Sequence, residues 1–172
     1  LRNKLMSMSA IASLSVDVDK LINVPLNRDG VNSPQYNEIV QNLLAIKNSN
    51  SCIKYIYTLT KTDEPGKWRF IVDPDPAFVY DQAFSGTSSY PGDFYDASRF
   101  PEMIAAYDGP TADKKIVMDE WGPALSGYAP IKDKLGKAVA VLGIDIDAGN
   151  VYALQRSVLL RSAFILFVGI LF

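Results

Sequence analysis

Aromatic side chains and a small set of polar groups are the residues in this sequence that could bind a small molecule. Concave, mostly apolar pockets with a few convergent polar groups are the usual small-molecule sites of proteins. Aromatic faces beside a carboxylate would suit an ammonium group, whereas Arg69 or Arg99 would suit a carboxylate. The same rings could instead fill the core of a small sheet. The candidate pocket residues are the aromatics Trp68, Tyr80, Tyr90, Phe94, Tyr95, Trp121 and Tyr128 and the polar residues Arg69, Asp73, Ser126 and Asp145.

Asp145 stands within an apolar, β-branched run from Ala138 to Ile146. An unpaired carboxylate would be costly to bury there. We therefore expect Asp145 either to accept hydrogen bonds from nearby backbone or to bind a cationic group. Two carboxylates facing each other in a cleft, for instance Asp73 and Asp145, would instead suit a hydrolase.

Several kinds of chemistry are excluded by the residues that the sequence lacks. None of the 172 residues is a histidine, which excludes Ser-His-Asp and Cys-His catalysis and histidine-ligated metals. The single cysteine, Cys52, excludes an internal disulfide, and we expect its thiol to be buried because it precedes an apolar strand. The run from Asp73 to Pro76 lacks the glycine and the final glutamate of an EF-hand loop. We therefore expect no catalytic residue, no bound metal and no cofactor.

The charge of the chain is nearly balanced. Its 17 basic and 19 acidic residues give a net charge of −2, and no basic block occurs. Phosphate binding needs clustered lysine and arginine, so we do not expect nucleic acid as a partner. A content of 48% hydrophobic residues is ordinary for a globular protein, and the length suits one domain with appended helices.

The elements that must position the candidate residues centre on a hairpin between Asp119 and Asp147. Its arms are predicted over residues 124–131 and 138–146, with a polar turn at 133–136 whose glycine suits a positive φ. The second arm is too continuously apolar for a one-sided strand, so we expect it to be central and covered on both faces. Further strands are predicted over residues 53–61, 68–73 and 115–120. One long helix is predicted within residues 1–26 and ends near Asn23. Two further helices are predicted over residues 35–48 and 102–107.

Two other stretches stand out by composition. Residues 73–101 form an irregular segment dense in aromatic residues, which favours a packed cover over a disordered loop. Residues 162–172 are apolar without interruption and follow a predicted helix over residues 148–161. A bilayer span takes about 20 such residues. We interpret this stretch as the first part of a transmembrane helix, and a buried C-terminal helix is the alternative.

Short motifs from about Asp17 to Asp147 occur in an order that resembles a known family. The family is the Cache domains, also called PDC or PAS-like domains. These are extracytoplasmic sensor domains of bacterial and archaeal histidine kinases, diguanylate cyclases and chemoreceptors, and the motifs fit the kinases and cyclases better. The motifs are Tyr55–Leu59, Tyr95–Ser98, Pro101–Met103, Trp121-Gly122, Ser126–Ile131, Asp133, Gly136 and Val141–Ile146.

The resemblance implies an α/β fold of the α+β, PAS-like kind. Its central antiparallel sheet would have about five strands. A long N-terminal helix would cover one face, and the aromatic loop with a short helix would cover the other. The implied organisation is an N-terminal signalling helix over residues 1–26, a single sensor domain over residues 27–147, and a C-terminal helix over residues 148–172 that leads into a truncated transmembrane segment.

The resemblance also implies a small-molecule sensor domain, not an enzyme, that passes ligand binding through its terminal helices to a cytoplasmic output. The protein would lie in the cell membrane with this domain extracytoplasmic, as a homodimer formed through the N-terminal helix. In amine-binding Cache domains an aspartate on the closing strand contacts the ligand ammonium, and Asp145 matches that position. Arg99-Phe100 lacks the Trp-Tyr pair that follows an arginine there. A module that binds no small molecule, and that senses a protein partner or spaces the membrane helices, is the alternative.

Overall fold

The computed structural model describes residues 1–74, 89–119, 122–147, 149 and 151. The helices in these ranges are α1 (Arg2–Leu14), α2 (Val18–Leu21), α3 (Pro34–Ser49) and α4 (Pro101–Ala105). Short 3-10 turns lie at Arg28–Asn32 and Ala97–Arg99. The strands are β1 (Ile53–Lys61), β2 (Lys67–Val72), β3 (Phe94–Asp96), β4 (Thr111–Ala112), β5 (Val117–Asp119), β6 (Gly122–Lys132) and β7 (Ala138–Asp147).

The described strands form one sheet in the order β3-β2-β1-β7-β6-β4, and β5 also pairs with β6. Each of these pairings is antiparallel. The predicted α+β, PAS-like fold with an antiparallel sheet is therefore confirmed. The sheet in the described residues has seven strands rather than about five. The two additional strands, β3 and β4, contain three and two residues, which is too few to show an alternating pattern in the sequence.

β7 is the central strand that its composition predicts. It lies between β1 and β6, and its residues from Ala140 to Ile146 are buried. The turn before it is held by Asp133, whose Oδ1 accepts hydrogen bonds from the backbone N–H groups of Leu135 and Lys137. Gly136 in this turn has a φ of +81°, which a residue without a Cβ adopts at no steric cost.

Helices α1, α2 and α3 cover one face of the sheet, which we call the helix face. Their buried side chains include Leu21, Tyr36 and Leu43, which form one core with Leu142 and Ile144 of β7. α3 begins where Ser33 accepts a hydrogen bond from the Tyr36 backbone N–H and Pro34 supplies the first helical residue. The apolar side of α3 packs on β1 and β2.

The N-terminal helix is shorter than predicted. α1 ends at Leu14, and the chain turns at Ser15 before α2 begins at Val18. Asp17 is extended and its carboxylate accepts a hydrogen bond from the Lys20 backbone N–H, so it is the N-cap of a new helix rather than the interior of an old one. The prediction that the first helix continues to near Asn23 was therefore wrong. The prediction of an N-terminal helix on one face of the sheet is confirmed.

The opposite face of the sheet, which we call the aromatic face, is covered in part by α4. The predicted short helix is therefore present on the predicted side. Residues 75–88 of the predicted aromatic cover lie outside the described residues. The prediction of a buried Cys52 thiol was wrong. Cys52 is exposed, because it lies in the turn before β1 and outside the sheet.

The predicted C-terminal helix over residues 148–172 lies almost entirely outside the described residues. Within the residues that are described, no helix combines the length and apolar character that crossing a bilayer requires.

Candidate ligand site

Aromatic rings from three strands and from the segment around α4 lie together on the aromatic face. The rings of Tyr57 and Phe70 meet edge to face with centroids 6.0 Å apart. Phe70 meets Tyr95 in the same way at 5.7 Å, and Tyr95 stacks on Phe100 at 5.4 Å. These distances and angles are those that the ring quadrupoles favour. The aromatic face is therefore a fixed arrangement of rings.

Polar residues cross this face in a row over neighbouring strands. Ser126 of β6 lies opposite Asp145 of β7, and the Asp113 backbone N–H donates to the Ser126 carbonyl at 2.9 Å. Directly opposite residues of an antiparallel pair have neighbouring side chains. The side chains of Asp113, Ser126 and Asp145 are all buried, with 2%, 6% and 4% of their surface exposed. Two carboxylates thus flank a serine within a mostly apolar setting.

Tyr57 connects the aromatic rings to this polar row. Its hydroxyl donates a hydrogen bond of 3.1 Å to Asp145 Oδ1, and both side chains are buried. Tyr57 lies opposite Gly143 in the pairing of β1 with β7. A Cβ at Gly143 would lie 2.4 Å from Tyr57 Cε2, which is closer than carbon atoms can approach. Glycine at this position therefore allows the ring to lie across β7 with its hydroxyl on Asp145.

The surroundings of Asp113 oppose the ionisation of its carboxyl group. The pKa of Asp113 is raised from 3.8 to about 6, chiefly by burial and also by the Glu102 carboxylate. Hydrogen bonds from Ser126 and Tyr128 act in the opposite direction, and the Ser126 backbone N–H donates to Asp113 Oδ2 at 3.0 Å. The desolvation of the charged form is the larger effect.

Tyr128 is buried and lies close enough to the carboxylates of Asp113 and Asp145 for their charges to raise its pKa. Burial raises the pKa of Tyr128 well above its usual value, and the carboxylates of Asp113 and Asp145 raise it further. Its hydroxyl therefore keeps its proton and can donate it in a hydrogen bond. The polar row thus contains carboxylate acceptors and the hydroxyl donors that satisfy them.

The structure brings five of the eleven sequence-predicted candidates to the aromatic face. Trp68, Tyr95 and Tyr128 belong to its cluster of buried aromatic and aliphatic side chains. Ser126 lies two residues before Tyr128 on the same strand, and Asp145 is bound to Tyr57 of that cluster. Tyr80 and Trp121 lie outside the described residues. The role of every candidate in ligand binding stays a prediction.

Arg69, Phe94, Asp73 and Tyr90 lie elsewhere, and Phe94 is exposed on β3 opposite Arg69. Arg69 stands between Trp68 and Phe70 in β2, where successive side chains point to opposite faces. Its guanidinium lies 4.8 Å from the centre of the Phe94 ring. Arg69 is therefore placed away from Asp145 and the aromatic cluster.

Asp73 and Tyr90 are placed beside the helix face. The Asp73 carbonyl accepts a hydrogen bond of 2.9 Å from the hydroxyl of Tyr36 in α3, and burial raises the pKa of Tyr36 to about 12. Tyr90 packs against the helix-face core, with the Arg28 guanidinium 4.8 Å from its ring centre. These contacts fasten both ends of the segment that includes residues 75–88 near α3.

Two residues of the site were missed by the sequence analysis. Tyr57 shares the alternating pattern of β1 with Tyr55 and Leu59, so its face was predictable although its partner was not. Asp113 follows a strand of two residues and carries no pattern that distinguishes it from a loop residue. No cluster of three or more acidic or cysteine side chains suited to a metal ion occurs among the described residues.

Solved sensor domains have the same fold. The ligand-binding domain of the Campylobacter jejuni chemoreceptor Tlp3 in complex with L-valine matches this chain with a TM-score of 0.51 and 15% identity. The match covers 86% of this chain and 53% of the Tlp3 chain, so the chain spans about half of the length of that domain. The same Tlp3 domain in complex with 4-methylisoleucine matches with a TM-score of 0.52 and 13% identity, over 86% of this chain and 52% of that chain.

A second protein matches over nearly its whole length. The E. coli DcuS sensor domain has a TM-score of 0.52 and 16% identity, with 88% of this chain and 91% of that chain covered. No protein-family model and no curated protein matches the sequence. At these identities the likeness is one of fold. The chain therefore has the fold of the Tlp3 and DcuS sensor domains, which confirms at that level the resemblance to extracytoplasmic sensor domains.

Proposed function

We propose that this chain is the extracytoplasmic small-molecule sensor domain of a transmembrane signalling receptor. The observation that carries the proposal is the buried Tyr57–Asp145 hydrogen bond within the polar row on the aromatic face. Buried polar groups converging among aromatic rings are what a small-molecule site requires. The Tlp3 domain of the same fold has been solved with L-valine, which supports a ligand site in this architecture.

The polar groups of this face favour a ligand that donates hydrogen bonds. Asp113 and Asp145 accept hydrogen bonds, and aromatic rings attract cations through their faces. Of the two arginines that would suit a carboxylate ligand, Arg69 lies on the other side of its strand from Trp68. Arg99 is exposed, with its guanidinium 6.0 Å from the centre of the Phe100 ring. We therefore infer that an amine or ammonium group is preferred over a free carboxylate, with Asp145 as its anchor.

A ligand at Asp145 would act on the rest of the domain through β7. This strand is central, and α1 packs on the opposite side of β6 and β7. A change in the position of β7 would alter the packing of α1, and the shift in equilibrium is limited by the difference in ligand affinity between the two arrangements. Together with the transmembrane helix whose first part is predicted at residues 162–172, α1 would carry the change to a cytoplasmic output.

Thermal melting against a panel of amines, amino acids and carboxylic acids tests the ligand site. A ligand present at 100 times its dissociation constant adds about 2.7 kcal/mol of stability, which raises the melting temperature by roughly 5 to 10 °C. We expect an amine to produce this rise, and we expect Asp145→Asn to remove it. Tyr57→Phe is the matched control, because it removes the partner of Asp145 but keeps the carboxylate. An equal rise in Asp145→Asn would contradict the assignment of the anchor.

One observation favours the alternative of a module without a small-molecule ligand. The described rings of the aromatic face pack against one another at centroid distances from 5.4 to 6.0 Å, so that side chains themselves fill much of this face. If no compound in a broad panel changes the melting temperature, a module that senses a protein partner or spaces the membrane helices becomes the better assignment.

We also propose that the domain forms a homodimer through α1. Ile11 and Leu14 lie on the outer side of this helix, with 71% and 87% of their surface exposed. Covering these side chains with a second copy removes apolar surface from water. Sedimentation is expected to show a dimer for the wild type and a monomer for the double variant Ile11→Ser with Leu14→Ser. Leu135→Ser is the control, because Leu135 is 93% exposed and lies in the turn between β6 and β7 rather than on α1. A monomeric wild type at all concentrations would exclude this interface.

A further inference from the structure

The first turn of α1 is tied to the edge of the sheet by Arg2. Its Nη2 atom donates to the Ala112 carbonyl at 2.9 Å, and its Nε atom lies 3.2 Å from the carbonyls of both Ala112 and Asp113. Leu5, one turn later, is buried in a cluster that also includes Ala112. The start of the helix therefore follows the position of β4 and of the residue after it.

Asp113 belongs to two groups of contacts at once. Its backbone carbonyl accepts a hydrogen bond from the Arg2 side chain of α1. Its carboxylate accepts a hydrogen bond of 3.0 Å from the Ser126 backbone N–H of β6. The strand before it is fixed to α4, since Thr111 Oγ1 donates to the Glu102 carbonyl at 2.6 Å. Asp113 is thus the point at which the polar row of the aromatic face meets the start of α1.

The charged and titratable groups around Asp113 act on its negative charge in different directions, since Glu102 opposes the charge and the Tyr128 hydroxyl favours it. The Glu102 carboxylate of α4 repels it, and Glu102 itself pairs with Lys114 at 3.2 Å. The Arg2 guanidinium is directed at backbone carbonyls. Tyr128 of β6 keeps its proton, because burial raises its pKa well above the usual value. The groups that face Asp113 from the elements packed on it are Arg2 of α1, Glu102 of α4, Ser126 and Tyr128 of β6, with Lys114 following it in the chain.

We propose that Asp113 is a proton-responsive residue, and that the uptake of a proton by its carboxyl group changes the position of the start of α1 through Arg2. The proton adds to one carboxylate oxygen and comes from solvent. Asp113 lines a cleft of about 480 Å³ together with Arg2 and Lys114, and 2% of its surface is exposed. The hydrogen bond from the Ser126 N–H is charge-assisted only while Asp113 is ionised. Its weakening leaves the bond from the Asp113 backbone N–H to the Ser126 carbonyl as the stronger attachment to β6, and the Asp113 carbonyl that holds Arg2 shifts with the backbone.

The pH range of this response follows from the surroundings of Asp113. Burial places its pKa at about 6, so the carboxyl gains its proton on mild acidification from neutral pH. The domain would then report acidity without any small molecule. This response shares Asp113 with the polar row of the proposed ligand site, but it requires neither a bound small molecule nor a contact to Asp145.

A distance measurement between two spin labels tests the proposal on the purified chain without added ligand. The single cysteine, Cys52, is exposed at the start of β1 and takes one label. Ser7→Cys, on the exposed side of α1, takes the other. We expect the distance distribution to change between about pH 5 and pH 7.5, with a midpoint near 6. A distribution that is the same over this range would overturn the proposal.

Variants separate the proton site from the route to the helix. Asp113→Asn cannot titrate, and we expect it to remove the pH-dependent change in distance. Arg2→Met cuts the contact to β4, and we expect it to remove the change in distance while the melting temperature keeps its dependence on pH. Lys4→Met is the matched control, because Lys4 is exposed on the same turn, and it should behave as the wild type. A response that persists in Asp113→Asn or in Arg2→Met would contradict the proposed route.

Discussion

Gly127→Ala is expected to lower the free energy of unfolding by about 3 kcal/mol, which is at the upper end of the cost of overpacking a core. Gly127 lies in β6 on the helix face, and a Cβ there would lie 2.8 Å from the Leu5 carbonyl oxygen and 2.9 Å from its carbon. These are backbone atoms of α1, so the clash cannot be relieved by rotating a side chain. The helix must move away from the sheet, and chemical denaturation monitored by circular dichroism measures the loss.

The control for this variant is Gly109→Ala. Neither glycine has a positive φ, and a Cβ at Gly109 would have no atom within 4 Å. We expect its effect to stay within about 0.5 kcal/mol, as for other surface substitutions. Equal stabilities of the two variants would show that α1 is not packed against Gly127 as described. Because α1 is the proposed signalling helix, Gly127→Ala should also weaken its response to pH.

Asp113→Asn is expected to stabilise the domain by about 3 kcal/mol at pH 7.5 and to have little effect near pH 4, because each unit of pKa difference is worth about 1.4 kcal/mol. The pKa of Asp113 is about 6 in the folded domain and 3.8 without the fold. Between these values the folded state keeps a proton that the unfolded state has lost. The contribution of Asp113 to stability is therefore fully present below about pH 4 and is lost as the pH rises through 6.

The measurement is urea denaturation of the wild type and the variant at several pH values, and the quantity to compare is the difference between them. Asp96→Asn is a control of opposite sign. Hydrogen bonds from Ser98 lower the pKa of Asp96, so its contribution to stability is present at neutral pH and is lost on acidification. If the difference between the wild type and Asp113→Asn does not change with pH, Asp113 ionises in the fold as it would in water.

The parts of the fold that the sequence predicts well are those with long and regular patterns. The continuous apolar run from Ala138 to Ile146 correctly indicated a central strand covered on both faces. The limits of α3 and β1 agree with prediction within one residue. Patterns of two or three residues are too short to interpret, and β3 and β4 were missed for that reason. The break after Leu14 depends on one capping aspartate, Asp17, within an otherwise helical stripe.

The candidate site was predictable where residue type and strand alternation agree. Tyr128, Ser126 and Asp145 were assigned to neighbouring arms of one hairpin, and the structure places them on one face. Arg69 was grouped with Trp68 by its chemistry, although adjacent residues of a strand point to opposite sides. The positions of Asp73 and Tyr90 depend on contacts to α3 and Arg28 that are distant in sequence. Asp113 depends on pairing across the sheet edge, which no local pattern records.

The contact between Arg2 and β4 has a consequence for association between copies of the chain. A strand at the edge of a sheet offers unpaired carbonyl groups to any other extended segment and can start aggregation. In the described part of the sheet, the edge strands are β3, β4 and β5, with three, two and three residues. The carbonyl of Ala112 on β4 is already occupied by the Arg2 guanidinium. The Arg2 side chain that links α1 to the sheet therefore also protects β4 from pairing with a strand of another chain.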